Sequence, residues 1–172
     1  VAEADDPLTE LHRPFDVLLH LGPSPPREGW FSRLVMRLPV QAVAAPAYLA
    51  AHGTPARPGD LAAHRLLTWH AGARFADGWP LADGAVLPVE SSVVSANAEL
   101  VTQIAAAGGG IALVPGLGAF PGVEASGLVA VLPAYIGGEV AVRALTPVPS
   151  RRDPRLAALF ANLDRLLGGV GG

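Results

Sequence analysis

Residues 93–115 read VVSANAELVTQIAAAGGGIALVP, and this stretch decides the fold. It opens on the β-branched pair Val93 and Val94 and closes on a second apolar run, Ile111 to Val114, each short enough for a buried strand. Between the runs, Asn97 is suited to cap a helix and Glu99 to lie at the positive end of its dipole, while Leu100, Ile104 and Ala107 recur at helical intervals. Gly108, Gly109 and Gly110 then stop the helix. A strand, helix and strand of this length predicts a crossover unit, a parallel pair covered by a helix. In such sheets ligands sit beyond the strand C-termini, where the helix N-terminus turns N–H groups outward. Here that place is Ser95, Ala96 and Asn97, residues that serve equally well as a helix cap.

Composition narrows the function. With 172 residues, 51% of them apolar, the chain can bury a core as one ordinary domain or two small lobes. No apolar run approaches the roughly 20 residues that span a bilayer, and the opening VAEADDPLTE is acidic where a signal peptide would be basic, so a soluble, cytoplasmic chain is expected. The absence of cysteine removes disulfides, thiolate metal sites and a cysteine nucleophile. A net charge of −3 argues against nucleic-acid binding by these residues. None of the five His falls in a close metal spacing, no Ser sits in G-x-S-x-G, and neither glycine-rich stretch carries a P-loop Lys. Gly108 to Gly110 also follows a helix, the wrong polarity for cradling phosphate. No enzyme, cofactor or metal is expected.

On the N-terminal side, Val1 to Glu3 reads as the tail of a strand, Leu8 to Leu11 as a short helical segment, and Phe15 to Leu19 as a central strand leading to His20, Leu21 and Gly22. A Pro-rich loop, Pro23 to Gly29, follows. Arg33 to Ala45 reads as two strands broken at Pro39, with Leu34, Met36 and Leu38 on one face of the first and Val40 to Ala45 buried on both sides. Pro46 to Ala51 suits a short helix with Gly53 past its end, and a second starts at Pro58 with His64 near its end. Leu66 to Trp69 is strand-like, and His70 to Trp79 a loop carrying Phe75. Beyond the central unit come a weaker helix, Leu117 to Ala125, and strands at Leu128 to Leu132 and Val140 to Thr146. An amphipathic helix, Asp153 to Leu167, then places Leu156, Leu159, Phe160, Leu163, Leu166 and Leu167 on one stripe and should pack on the first part of the chain. Arg151 and Arg152 ahead of it read as a solvated pair, and the Gly-rich tail as frayed.

The order FDVLLHLG, VQAVAAPAYLAAHGTPARPGDLAAHRLLTW, VVSANAELVTQIAAAGGGIALVP and LTPVPSRRDPRLAALFANLDRLL resembles the effector-binding domain of LysR-type transcriptional regulators. The most specific block is Pro46 to Leu67, and the ending at Pro115 supports it independently. The resemblance implies an α/β, two-lobed periplasmic-binding-protein-like (type 2) fold, its lobes joined by two crossing strands, with a small effector held between them. The family's first strand and helix, and the helix-turn-helix that binds DNA, would lie ahead of Val1. The two long extended stretches, Val40 to Ala45 and Val140 to Pro147, are the natural crossings. Lobe one is then expected as residues 1–43 with 144–172, and lobe two as 44–143. The expected ligand-binding set is His20, Leu21 and Gly22, the hinge residues Ala44 and Ala45, Trp69, His70 and Ala71, Ser95 and Asn97, and Pro115. Trp69 reads more readily as core, and His52 and His64 as structural. Ser95 and Asn97 at a helix N-terminus favour an anionic effector. The other expected partners are a second copy of the chain, as dimer or tetramer, with DNA reached only through the helix-turn-helix. Ala105 and Ala106 offer a small-residue face to such a copy. A solute-binding protein or a small-molecule enzyme on the same fold is the alternative.

Overall fold

The computed structural model describes residues 16–22, 30–70, 75, 78–116, 127–147, 149 and 152–167. The readings at Val1 to Glu3, Leu8 to Leu11, Phe15, Pro23 to Gly29, Ala71, Leu117 to Ala125, Arg151 and the Gly-rich tail lie outside these residues. The chain divides into two compact units, Val1–Arg37 with Ala141–Gly172, and Leu38–Val140. Two paired strands, β2 (Phe31–Ala44) and β9 (Gly138–Thr146), carry the chain from one unit to the other.

In the Leu38–Val140 unit, the central stretch folds as β6 (Val93–Ser95), α2 (Ala98–Ala106) and β7 (Ile111–Pro115). The two strands are parallel, but they do not pair with each other. Both flank β3 (Leu66–Trp69), with Leu67 opposite Val93 and Leu66 opposite Ile111, so the crossover passes over an intervening strand. β3 and β7 are buried at every position, as strands covered on both faces must be. Helix α2 packs on β3, β6 and β7 through Val101, Thr102 and Ala105. The expected inner stripe is therefore rotated: Leu100 is 47% exposed, whereas Ala105 is wholly buried and unavailable to a second copy. The spacing was satisfied by two adjacent stripes, and the sheet chose the one whose smaller residues allow close approach.

The three glycines after α2 have separate reasons. Ala107 ends the helix, Gly108 follows at φ +81°, and the Gly108 and Gly109 N–H groups donate back to the Ala105 and Ile104 carbonyls at 2.9 Å, a Schellman closure. At Gly110, a Cβ would stand 2.4 Å from the Arg65 carbonyl oxygen. That same oxygen accepts the Ile111 N–H and so starts β7 beside β3.

β2 is one continuous strand, not two pieces broken at Pro39. Its pairing with β7 begins at Val40 opposite Pro115, and Pro39 is asked only for its carbonyl, which accepts the Gly116 N–H. A proline at such a position costs no ladder bond. From Ala42 to Ala44, β2 pairs with β7 on one side and with β8 (Val129–Val131) on the other, which accounts for its burial there. After β2 come α1 (Pro46–His52) and a 3-10 helix, Pro58–Ala63. The two-residue strands β4 (Trp79–Pro80) and β5 (Val86–Leu87) form a hairpin of their own. Trp79 opens β4 wholly buried, its indole N–H donating to the Thr68 hydroxyl at 2.7 Å.

In the other unit, β1 (Leu18–Leu21) runs antiparallel to β9, with Leu18 opposite Leu145 and Leu21 opposite Val142. Helix α3 (Pro154–Leu167) lays Leu156 and Phe160 on Ala144, with Val17, Val35 and Leu163 around them, as the amphipathic pattern led one to expect. Leu159, however, is 41% exposed. Leu34 is likewise exposed at 40%, because the alternate residues Arg33 and Val35 are the ones turned to α3. The Arg33 guanidinium lies 4.7 Å from the Phe160 ring centre and pairs with Asp164 at 2.7 Å.

Candidate functional site

Strands β3, β6 and β7 end together, so their parallel register brings Trp69, Ser95 and Pro115 to one edge of the Leu38–Val140 unit. The turn from β6 into α2 is held there by four bonds. The His70 N–H donates to the Ser95 carbonyl at 3.0 Å, and the Trp69 indole N–H to the Ala96 carbonyl at 3.0 Å. The Ser95 hydroxyl accepts the Asn97 N–H at 3.1 Å, and the Asn97 side-chain oxygen accepts the Leu100 N–H at 3.0 Å. Asn97 is thus the N-cap that its place in the sequence implies. Trp69 is only 3% exposed, a core residue that staples the turn to β3. The first i to i−4 bond of α2 runs from Val101 to the Asn97 carbonyl at 3.3 Å, which leaves the Ala98 and Glu99 N–H groups at the open end of the helix. Such an end attracts negative charge.

Ala44 and Ala45 are not brought to this edge. β2 is antiparallel to β7, so Ala44 stands opposite Ile111, at the far end of β7 from Pro115. Ala44 is wholly buried, and Ala45 precedes α1 as its N-cap.

In the other unit, Gly22 follows β1 at φ +110°, a conformation that favours glycine, and its N–H donates to the Ala141 carbonyl at 2.8 Å. His20 is 9% exposed and stands opposite Arg143 of β9. Sequence reading passed over Arg143. It is the one charge in the otherwise uncharged run Val140 to Thr146, and that interruption was the available signal. Its Nη1 donates to the Ser32 hydroxyl at 3.5 Å, while its Nε is sealed from solvent and has no acceptor among the described residues.

His52 and His64 build a separate, structural cluster. The His52 ring stacks on Tyr48 at 4.3 Å and its Nδ1 donates to the Tyr48 carbonyl at 3.0 Å. The Tyr48 hydroxyl accepts the Arg65 N–H at 3.1 Å and meets Nδ1 of His64 at 3.3 Å. Burial, and then the neighbouring His52, hold the His64 imidazole below its usual pKa, against a smaller opposing effect of Asp60. Among the described residues no group of three His, Asp or Glu could hold a metal ion, and no helix is long and apolar enough to cross a membrane.

The family model for the LysR substrate binding domain matches residues 1–167. The chain belongs to that family. Among solved structures, the fold is similar to the regulatory domain of CrgA, a LysR-type transcriptional regulator from Neisseria meningitidis, at TM-score 0.77 and 20% identity over 96% of this chain and 81% of that one. Full-length CrgA matches at TM-score 0.72 and 20% identity over 99% of this chain and 57% of that one. AphB, the Vibrio cholerae virulence activator, matches at TM-score 0.68 and 22% identity over 94% and 53%. The chain therefore spans a little over half of the full-length regulators it resembles. No curated protein matches it. At these identities the likeness is one of fold, and it bears out the α/β, two-unit periplasmic-binding-protein-like architecture inferred from the sequence.

Proposed function

We propose that this chain is the effector-sensing part of a LysR-type transcriptional regulator, working in the cytoplasm without catalysing a reaction. The candidate ligand groups are His20, Leu21 and Gly22 after β1 in one unit and, in the other, His70, Ser95, Asn97 and Pro115 at the edge formed by β3, β6 and β7. The observation that supports this most is the β6–α2 turn, where four hydrogen bonds hold an open helix end rigid at the C-terminal edge of three parallel strands. A preformed site of that kind spends little binding energy on ordering itself.

A ligand shifts the equilibrium toward whichever form of the chain gives it more contacts. A preference of about 1–3 kcal/mol between forms is a typical coupling energy and is enough to alter how attached helix-turn-helix domains sit on an operator. Dimeric or tetrameric assembly belongs to the same reading, but a contact through α2 has to use its outer residues, such as Leu100, since Ala105 is buried. The test is Asn97→Leu in the complete regulator. Loss of the inducer response in a folded variant is expected, and a full response would reduce Asn97 to a cap. The alternative, a solute-binding protein or an enzyme on this fold, is separated by the parent gene ahead of Val1, which should encode a helix-turn-helix and not an export signal.

A further inference from the structure

We propose that Tyr48, His52 and His64 form a proton-operated latch, which fastens α1 and the 3-10 helix to the β3–β7 pair at neutral pH and lets go in mild acid. The latch is independent of the effector-sensing reading, because it sits where β3 and β7 begin, at the opposite end of these strands from Trp69 and Pro115. Its centre is a phenol. Tyr48 is 3% exposed, and two imidazoles stand against its ring, His52 stacked with centroids 4.3 Å apart and His64 tilted at 5.8 Å. The Tyr48 oxygen accepts the Arg65 N–H at 3.1 Å, so the hydroxyl's own proton needs an acceptor, and Nδ1 of His64 at 3.3 Å is placed to be that acceptor. A neutral His64 thus completes a one-way chain from the Arg65 N–H through the Tyr48 hydroxyl to the imidazole. Protonation puts a proton on that Nδ1. The oxygen then faces two N–H donors while its own proton has lost its acceptor, a loss that costs most on a buried side chain.

The surroundings decide which form is favoured. The His52 Nδ1 proton is used on the Tyr48 carbonyl at 3.0 Å, so His52 takes up acid at Nε2, and its charge then stands beside the same phenol as a charged His64. The carboxylate facing His64 is Asp60 of the 3-10 helix, whose oxygens are engaged by the Ala56 and Arg57 N–H groups at 3.0 and 3.1 Å and by the Arg57 guanidinium at 3.1 Å. The Arg65 side chain is exposed, and β3 and β7 bring no ionisable group. Burial and then His52 outweigh Asp60, so the neutral imidazole is the fastened form; its contribution is present above the usual 6.5 and lost as pH falls through the lower folded value. Arg65 carries the effect onward. Its N–H goes to Tyr48 and its carbonyl accepts the Ile111 N–H at 2.9 Å, the bond that starts β7 beside β3. Release at Tyr48 is therefore read first at the Arg65 amide.

The experiment follows amide hydrogen exchange of the 172-residue chain by NMR at about pH 7.5 and about pH 5, each rate taken relative to an unstructured amide at the same pH. The Arg65 N–H should lose roughly tenfold of its protection on acidification, the worth of one hydrogen bond, while the Ala107 N–H, bonded to the Gln103 carbonyl at the end of α2, keeps its own. His64→Gln offers the Tyr48 proton an acceptor that never charges, and should keep the Arg65 amide protected at both pH values. His52→Gln, at an exposed position, removes the neighbouring charge and should move the release to higher pH. Equal Arg65 protection at both pH values in the wild-type chain overturns the latch, as does an acid loss that survives in folded His64→Gln. If Ala107 loses protection in step with Arg65, acid acts on the whole unit and the proposal fails. Should His64→Gln not fold, His52→Gln decides, and an unmoved pH of release overturns the proposal.

Discussion

Asn97 separates a cap from a ligand group, because its two roles use different atoms. Its side-chain oxygen is committed to the Leu100 N–H at 3.0 Å, at an exposed helix end where one such bond is worth about 1 kcal/mol. Asn97→Ala removes that bond, and for a chain of this size about 1 kcal/mol lowers the melting temperature by roughly 2–4 °C. Asn97→Asp keeps an acceptor in the same place and adds a negative charge at the positive end of α2, a gain of about 0.3–1 kcal/mol that Glu99 in the same turn partly offsets. Thermal unfolding followed by circular dichroism should rank Asp at or above wild type and Ala below both. The effector response should rank differently: Asp, stable but repelling an anion, should be impaired as severely as Ala. An Ala variant as stable as wild type refutes the cap. A normal response in the Asp variant refutes an anion at this helix end.

Three further outcomes test the framework around the site. Gly110→Ala should destabilise the chain by well over 1 kcal/mol in denaturant titrations, because its Cβ would stand 2.4 Å from the Arg65 carbonyl oxygen at φ +154°. Tyr48→Phe should cost about 1–3 kcal/mol by leaving the Arg65 N–H without its acceptor, whereas loss of ring packing alone would cost nothing in this substitution. For pH, burial holds the His64 imidazole below the usual 6.5 in the folded chain, so its neutral form is favoured by folding. That contribution is present above 6.5 and is lost as pH falls through the lower folded value, so His64→Gln should lose less stability than wild type between neutral and mildly acidic buffer.

Local signals in the sequence were read well because local chemistry enforces them. Asn97 caps α2, Gly53 and Gly108 follow helices at positive φ, and Leu66 to Trp69 is a strand buried throughout. Tertiary choices were less legible. Leu100 and Leu159 fit a helical stripe as well as their buried neighbours do, and only the opposing sheet decides between the stripes. Pro39 looked like a break because the sequence does not tell which of its backbone groups a partner strand will ask for. Of the candidate site, Ser95, Asn97, Trp69 and His70 were legible as strand ends beside a cap. The opposite placement of Ala44 followed from an antiparallel pairing that no local pattern announces. Arg143 was visible only as a charge inside an uncharged strand, and its place opposite His20 depends on the β1–β9 register.

The central claim is tested most directly by locating a bound effector. The measurement is a crystal structure, or a chemical-shift map, of the chain with a small molecule that raises its melting temperature. The expected position is against the Ser95–Asn97 turn, at the edge where β3, β6 and β7 end. A ligand seated instead on the outer side of α2 near Leu100, or against Leu159 on α3, would contradict the account.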